Sequence, residues 1–239
     1  MYLSVIIPAY NEEKRIEKTL LSVHEYLSRQ SYEYEIIVVS DGSRDKTTNV
    51  VEGLQSKVAN LKLLANIENH GKGWVVRQGM LAAQGDLRLF MDADNSTTID
   101  QVESFLPFFS DGLYDIVVGS RRIEGANIAV KQPWSRDFLG GIFRLVVHIL
   151  VPLGATDSQA GFKCFSRKTV EAIFPRQTIF RWAFDVEILA IARKMGFKIK
   201  EAPIKWVNDT ESKVKLGGMV KMLFEVLRVR WNLWSGKYH

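Results

Sequence analysis

The sequence of 239 residues has a single cysteine, Cys164, so it cannot form an intramolecular disulfide. It also lacks a secretory signal, because the apolar run at residues 3–7 is short and has no basic segment before it. No stretch reaches the roughly 18 apolar residues of a transmembrane helix. The nearest candidate, residues 138–151, is interrupted by Arg144 and His148. We therefore expect a cytoplasmic protein without a transmembrane helix.

The composition is that of a globular protein, with 46% hydrophobic and 25% charged residues. The length suits one large α/β domain or two small ones. A net charge of +5 suggests an anionic partner, but its sign does not distinguish a nucleotide, a membrane surface and a nucleic acid.

Apolar β-branched runs alternate with segments of helical period through the first half of the chain. This pattern predicts a mostly parallel sheet with helices on both faces. The predicted strands are residues 3–7, 35–40, 61–65, 87–92 and 115–119, and the predicted helices are residues 12–27, 45–54, 74–83 and 99–109.

After residue 119 the pattern changes to a basic, glycine-containing loop at residues 121–135. The elements predicted beyond it are helices near 138–151, 182–195 and 217–234 and strands near 161–165 and 198–202. We expect these elements to complete a single domain over residues 1–239, in which 1–120 form one half and 121–239 the other.

Polar loops follow three of the predicted strands, and parallel strands present such loops at one edge of a sheet. The first contains Asn11 and the second Asp41, which in isolation read as a helix cap and a turn. The third contains Asp92 and Asp94 directly after a buried run. Two such carboxylates repel each other unless a cation neutralises them, and Mg²⁺ or Mn²⁺ fits their oxygen ligands.

Basic residues occur after two other strands and could hold phosphates. Lys72 lies in a glycine-rich segment, residues 69–73, that opens a helix; the glycines would allow close approach of a diphosphate to the backbone. Arg121 and Arg122 follow the fifth strand. One of them could offset charge on a departing anionic group.

Taken together, these motifs resemble those of family 2 glycosyltransferases with the GT-A fold. SVIIPAYNEEKRI, EIIVVSDGSRDKT, NHGKG and MDADNS occur in the family's order and spacing. VGSRR, DSQAGFKCFS, FRWAFDVEILAIARKMGFKIKEAPIKW and the pair Ser212–Lys213 resemble the polyprenyl-phosphate branch of that family, in particular the dolichyl-phosphate glucosyltransferases. The resemblance covers essentially the whole chain.

The resemblance implies a role for each matching residue. A nucleotide-sugar donor would bind in the first half, with Asp94 as the main metal ligand, helped by Asp92. The donor would lie along Pro8, Tyr10, Glu12, Asp41, Lys72 and Asp92. Ser96 stands where relatives often have another ligating side chain, so a third protein ligand is not expected.

The second half would bind the acceptor, a polyprenyl phosphate. Arg121 would contact a phosphate of donor or acceptor, Lys213 would reach a phosphate, and Asp157 matches the family's proposed catalytic aspartate. A phosphate monoester has a second pKa of about 6, so this acceptor is already ionised at neutral pH. Asp157 would then orient groups or balance the charge of a cation. Asp185 and Glu187 cannot share one helical face, and neither is expected to be catalytic.

The expected reaction is inverting transfer of a sugar, glucose from UDP-glucose in the first instance, at the cytoplasmic face of a membrane. The basic helix near 217–234, with Trp231 and Trp234, would associate peripherally with that membrane, although it could instead pack on the sheet or form a dimer contact. No nucleic acid is expected. Alternatives are a mannose synthase using GDP-mannose, a saccharide acceptor, a catalytically silent nucleotide-sugar-binding protein and a sugar nucleotidyltransferase.

Overall fold

The computed structural model describes residues 2–128, 134–207 and 216–238. The strands are β1 Leu3–Ala9, β2 Tyr34–Asp41, β3 Leu61–Asn66, β4 Leu87–Met91, β5 Ile116–Ser120, β6 Asn127–Ile128, β7 Phe162–Ser166, β8 Ile199–Pro203 and β9 Lys205–Trp206. The helices are α1 Ile16–Leu27, α2 Thr47–Leu54, α3 Lys72–Ala82, α4 Trp134–Leu150, α5 Arg167–Ile173, α6 Phe184–Lys194 and α7 Leu216–Trp234.

Seven strands form one sheet in the order β3-β2-β1-β4-β7-β5-β8. β7 runs antiparallel to its neighbours β4 and β5, and the other adjacent pairs are parallel. One apolar core packs α1 and α2 against the sheet, and the other packs α3 to α7 against it. The predicted α/β class, with a mostly parallel sheet covered on both faces, is confirmed.

The central strands are buried along their whole length, as strands covered on both faces must be. This continuous burial explains why the sequence indicated them as apolar runs rather than as alternating patterns. The division of the chain into halves 1–120 and 121–239 stays a prediction.

The prediction of one helix over residues 99–109 was wrong. Two 3₁₀ helices, Ile99–Ser104 and Leu106–Gly112, occupy this segment. Pro107 lies near the start of the second one. Proline has no N–H to donate and clashes with the preceding turn, so a continuous α-helix cannot pass through this position.

The end of α7 is anchored in the core rather than frayed. Tyr238 is buried, and its hydroxyl donates to the buried carboxylate of Glu187 at 2.7 Å. Asn232 donates to the Tyr238 hydroxyl and to Thr178 Oγ1, both at 3.1 Å. Across the described parts of the chain, no helix is long and apolar enough to cross a membrane.

Candidate active site

The site lies at the edge of the sheet where β1, β2, β4 and β5 end. β7 is antiparallel, so its beginning, rather than its end, reaches the same edge. The backbone N–H of Asp92 accordingly donates to the carbonyl of Gly161 at 3.0 Å. The loop before β7, which contains Asp157, is thereby brought next to the loop after β4.

Asp41 organises the loop that leads into α3. Its carboxylate accepts hydrogen bonds from the N–H groups of His70 and Gly71, at 2.8 and 2.9 Å, and from the Asn69 side chain at 2.9 Å. A carboxylate has about four acceptor positions, so these three bonds leave one for a ligand. Asp41 therefore has a structural task beside any role in a nucleoside pocket.

The N-terminus of α3 is not the open diphosphate site that its glycines predicted. The N–H groups of Gly73 and Trp74 donate to the carbonyls of Arg181 and Phe180, at 3.2 and 3.1 Å, so they do not point at an open phosphate site. Gly71 has a φ of 105°, and a Cβ there would collide with the Phe180 carbonyl. The glycines thus allow residues 180–184 to pack directly against the N-terminus of α3. What this helix end contributes to the site is the charge of Lys72.

Lys72 and Asp92 form the ion pair nearest the end of β4. Their Nζ and Oδ1 atoms are 2.6 Å apart, and about a third of the Asp92 side chain remains exposed. A Cβ at Gly161 would clash directly with the Asp92 carboxylate, so glycine is required for this approach. The pair places a lysine and a carboxylate together at an accessible point of the site.

Asp94 is short of compensating charge. Burial raises the pKa of its carboxyl above the usual value, and the neighbouring charge of Asp92 raises it further. Its hydrogen-bond partner is Ser96, a neutral residue whose N–H donates to Oδ1 at 2.9 Å. Within the described ranges no ion pair neutralises Asp94, and the buried Oδ1 of Asn95 has no hydrogen-bond partner.

These groups fit a hard divalent cation. The Asp94 carboxylate, whose pKa is raised by burial and by Asp92, lies beside a buried amide oxygen without a donor, so this oxygen-rich loop has too little positive charge. The described residues contain no cluster of three or more acidic, histidine or cysteine side chains able to hold a metal. An ion here would therefore need further ligands from substrate or water, which is typical of Mg²⁺ and Mn²⁺ bound with phosphates.

Arg121 and Asp157 form a bidentate pair on the other side of the site. Arg121 Nε and Nη2 donate to the two Asp157 oxygens, both at 2.8 Å, and the Arg121 backbone N–H donates at 3.0 Å. The guanidinium carbon lies 5.1 Å from the ring centre of Trp206, so a cation–π contact holds its other side. Glu201 accepts the Asp157 N–H at 3.0 Å and so fixes the loop.

This pairing decides the protonation state of Asp157. Burial alone would raise the pKa of its carboxyl, but the hydrogen bonds and charge of Arg121 outweigh burial and hold the pKa below its usual value. A carboxylate that is buried, ionised and engaged by three N–H groups is a poor proton acceptor. It is well suited to fixing the orientation of Arg121.

Asp185 and Glu187 both lie in α6, and the structure shows which of them is near the site. Asp185 pairs with Lys163 at 2.6 Å, and the charges of Asp185 and Asp92 both act on Lys72. Glu187 instead accepts hydrogen bonds from the N–H groups of Thr178 and Ile179, away from the site. The sequence analysis missed Lys163, although a lysine inside the apolar run GFKCF was an available signal.

The remaining predicted residues fall into two groups. Pro8 is buried at the end of β1, Tyr10 is half-buried just after it, and Glu12 is ion-paired with Arg15 three residues on. Their nucleoside contacts stay predictions. Lys213 lies outside the described residues.

The sequence matches the model of one protein family, described as Glycosyl transferase family 2, over residues 4–174. The chain belongs to glycosyl transferase family 2. The match includes β1 to β5, β7 and the loops that carry Asp41, Lys72, Asp92 and Asp157.

Several curated relatives that match nearly the whole chain are named dolichyl-phosphate beta-glucosyltransferase. One from Trichomonas vaginalis is 37% identical over 98% of this chain and 76% of its own length. The Dictyostelium discoideum protein is 35% identical over 99% and 76%, and the Saccharomyces cerevisiae protein is 32% identical over 100% and 77%. The family 2 resemblance drawn from the motifs is thus confirmed, including its branch.

Solved structures share the fold of this family 2 chain at low sequence identity. Mannosyl-3-phosphoglycerate synthase from Rubrobacter xylanophilus aligns with a TM-score of 0.72 at 18% identity, covering 99% of this chain and 75% of its own. Glucosyl-3-phosphoglycerate synthase from Mycobacterium tuberculosis, in complex with Mn²⁺, UDP and phosphoglyceric acid, aligns with a TM-score of 0.68 at 16% identity, covering 97% and 78%. These similarities confirm the GT-A type of fold.

Proposed function

We propose that the protein transfers glucose from UDP-glucose to a dolichyl or related polyprenyl phosphate, with inversion at the sugar and with Mn²⁺ or Mg²⁺ as cofactor. The observation that carries this proposal is the similarity over nearly the whole chain to several proteins named dolichyl-phosphate beta-glucosyltransferase. The arrangement of carboxylates and cations at the sheet edge supports it, because a nucleotide-sugar reaction needs both.

The donor end of the proposed reaction uses the acidic loop after β4. Asp94 and Asp92 would hold the metal, which neutralises charge on the leaving diphosphate when bound. Lys72 would meet the same diphosphate, since its ammonium already lies beside Asp92. Asp41 has one acceptor position left for the base, while its other bonds keep the loop in place.

The acceptor end uses Arg121. Asp157 occupies Nε and one side of Nη2, which leaves the Nη1 edge of the guanidinium for a phosphate oxygen. A phosphate monoester is largely dianionic at neutral pH and can attack the anomeric carbon without a base. Asp157 then has the role of holding Arg121 against Trp206. Because the attack inverts the anomeric carbon, an α-linked donor gives a β-linked product.

A donor panel tests the reaction. Purified protein is incubated with dolichyl phosphate, Mn²⁺ and UDP-glucose, UDP-galactose, UDP-GlcNAc or GDP-mannose in parallel. We expect UDP release and a lipid-linked β-glucoside with UDP-glucose, both abolished by a chelator. Turnover of GDP-mannose alone would identify a mannose synthase, release of pyrophosphate would identify a nucleotidyltransferase, and no turnover with any donor would identify a silent binding protein.

We further propose that α7 associates peripherally with the membrane that holds the acceptor. One face of α7 carries exposed apolar side chains at a spacing of four and three residues. These are Val220, Phe224, Leu227, Trp231 and Trp234, of which Trp234 is 74% exposed. At 100° per residue they fall within one narrow stripe, opposite the buried Val226 and Val229.

Basic residues flank this apolar stripe on both sides. By the same helical geometry, Arg228 lies to one side of the stripe and Arg230 to the other, and both are exposed. Apolar and aromatic side chains between basic ones suit the boundary between headgroups and acyl chains.

Charge reversal at these arginines should weaken membrane binding. Each basic residue near an anionic surface contributes about 1 kcal/mol, so Arg228→Glu/Arg230→Glu should lower affinity for anionic vesicles by on the order of thirtyfold or more. Vesicle co-sedimentation at low and high salt measures this. UDP binding in solution should hardly change, because the donor residues lie elsewhere.

Lys18→Glu/Arg29→Glu is the matched control, since Lys18 is exposed on α1, Arg29 is exposed just after the end of α1, and the net charge changes equally. α1 packs on the face of the sheet opposite to α7, so this variant should bind vesicles far better than the α7 variant. An equal loss of vesicle binding in both variants would mean that only the net charge of the protein matters. If the α7 variant binds vesicles as well as wild type does, the apolar stripe does not contact the membrane and serves another contact, such as a dimer interface.

A further inference from the structure

Lys163 is a fully buried cation directly behind the site. It lies in β7, where its Nζ donates to Asp185 Oδ1 at 2.6 Å and to the carbonyl of Ala160. The ammonium also lies 5.0 Å from the ring centre of Phe90. Its side chain has no exposed surface, so it does not touch substrate. A buried charge of this kind is costly unless it neutralises a neighbour.

That neighbour, Asp185, interacts with two lysines. Lys163 is hydrogen-bonded to it, and Lys72 is the second cation whose charge acts on it. Lys72 lies near two carboxylates: its Nζ is 2.6 Å from Asp92 Oδ1, and the next residue, Gly73, packs so closely on Phe184, the neighbour of Asp185, that an added Cβ would lie 2.6 Å from Phe184 Cβ. Two lysines are therefore shared between Asp92 and Asp185, and the observed pairing is Lys72 with Asp92 and Lys163 with Asp185.

We propose that Lys163 is a positioning residue for donor binding, because by neutralising Asp185 it leaves the Lys72 ammonium on the Asp92 side of the site. This inference rests on the proposed function in one respect, namely that a nucleoside diphosphate binds beside Asp92. Without Lys163, Asp185 would be a buried carboxylate lacking a partner. It would draw Lys72 away from Asp92, and the diphosphate would lose that cation.

The first test is Lys163→Met, which removes the charge and keeps an unbranched side chain of similar length. The dissociation constant of UDP, measured by calorimetry with Mn²⁺, should rise about tenfold or more, the value of one charge-assisted hydrogen bond. Binding of UMP, which lacks the second phosphate, should change much less. Lys62→Met, which breaks the Lys62–Glu35 pair in the same sheet, is the control and should bind UDP like wild type.

The second test is rescue by Lys163→Met/Asp185→Asn. Removing the competing carboxylate leaves Asp92 as the partner of Lys72, so UDP affinity should return to within about threefold of wild type. A loss of UDP affinity that came from destabilisation alone would be seen only where the variant is partly unfolded, whereas a positioning role lowers the affinity of the folded protein. Thermal unfolding of each variant, followed by circular dichroism, separates the two readings.

Three results would overturn the inference: wild-type UDP affinity in Lys163→Met, equal losses for UDP and UMP, or a folded double variant that binds as weakly as the single one. If Lys163→Met does not fold, Asp185→Asn decides, since it should bind UDP at least as tightly as wild type, and tenfold weaker binding refutes the idea. If wild type binds GDP instead of UDP, the proposed donor is wrong, and the same series with GDP and GMP still tests Lys163.

Discussion

Replacement of Asp94 by asparagine is expected to lower the metal-dependent rate of sugar transfer by about 10²–10³ while leaving the fold intact. The change removes a negative charge without changing the volume of the side chain. Of Asp92 and Asp94, Asp92 is ion-paired with Lys72 and Asp94 has no ion pair among the described residues, so the charge of Asp94 is the more available to a metal. Initial rates as a function of Mn²⁺ concentration measure the effect.

Asp100→Asn is the matched control for this variant. Asp100 is exposed in the 3₁₀ helix that follows the same loop, so its replacement removes the same charge a few residues away. We expect wild-type rates and wild-type metal dependence from it. The metal assignment fails if Asp94→Asn turns over at a near-wild-type rate or responds to Mn²⁺ exactly as wild type does.

Replacement of Asp157 by asparagine should lower turnover by on the order of 10², because the amide cannot accept the bidentate bonds that hold Arg121. The pH dependence distinguishes this role from that of a base. Arg121 holds the pKa of Asp157 below its usual value, so the carboxylate is already ionised at every pH from about 5 upward. Wild-type kcat/KM should therefore show no acidic limb that belongs to Asp157.

The same pairing has a consequence for stability. A depressed pKa means that the Arg121–Asp157 pair stabilises the fold above about pH 4, the unfolded pKa, and that this contribution is lost as pH falls through the lower folded value. The free energy of unfolding, measured with urea at pH 7 and at acidic pH, should lose this contribution in wild type; Asp157→Asn has no such contribution to lose.

Asp115→Asn serves as the comparison for Asp157→Asn, since Asp115 accepts a backbone N–H from Lys198 at the opposite end of β5. It should lose some stability and little activity. If wild type shows an acidic limb that disappears in Asp157→Asn while residual turnover is measurable, Asp157 acts as a base and the positioning role is wrong.

The meeting of Lys72, Asp92 and Asp94 at one edge of the sheet could be predicted from the sequence because its signals are local. Asp92 and Asp94 directly follow the apolar run of β4, and Lys72 opens a helix, so the parallel order of the strands was enough to bring them to one edge. Boundaries of the first five strands were correct to within a residue or two for the same reason.

The arrangement on the other side of the site could not be predicted in this way. The pairing of Arg121 with Asp157 depends on the insertion of β7 in antiparallel orientation between β4 and β5, and a short apolar run does not indicate strand direction. The closure of the α3 start by the carbonyls of Phe180 and Arg181 is likewise a tertiary contact over a hundred residues of sequence. Local patterns carry no information on such contacts.

The position of β7 also affects how a growing chain reaches its final state. β7 follows β5 in sequence but lies between β4 and β5 in the sheet. During synthesis, β4 and β5 are therefore complete before the strand that pairs with both of them. Until residues 162–166 arrive, β4 and β5 each present a row of unpaired N–H and C=O groups, and such edges readily pair with other chains. A polypeptide that stops before Phe162 would retain the loops that carry Asp41, Lys72 and Asp92 but expose two apolar edges. Aggregation, rather than a soluble nucleotide-binding fragment, is the physical consequence of that exposure.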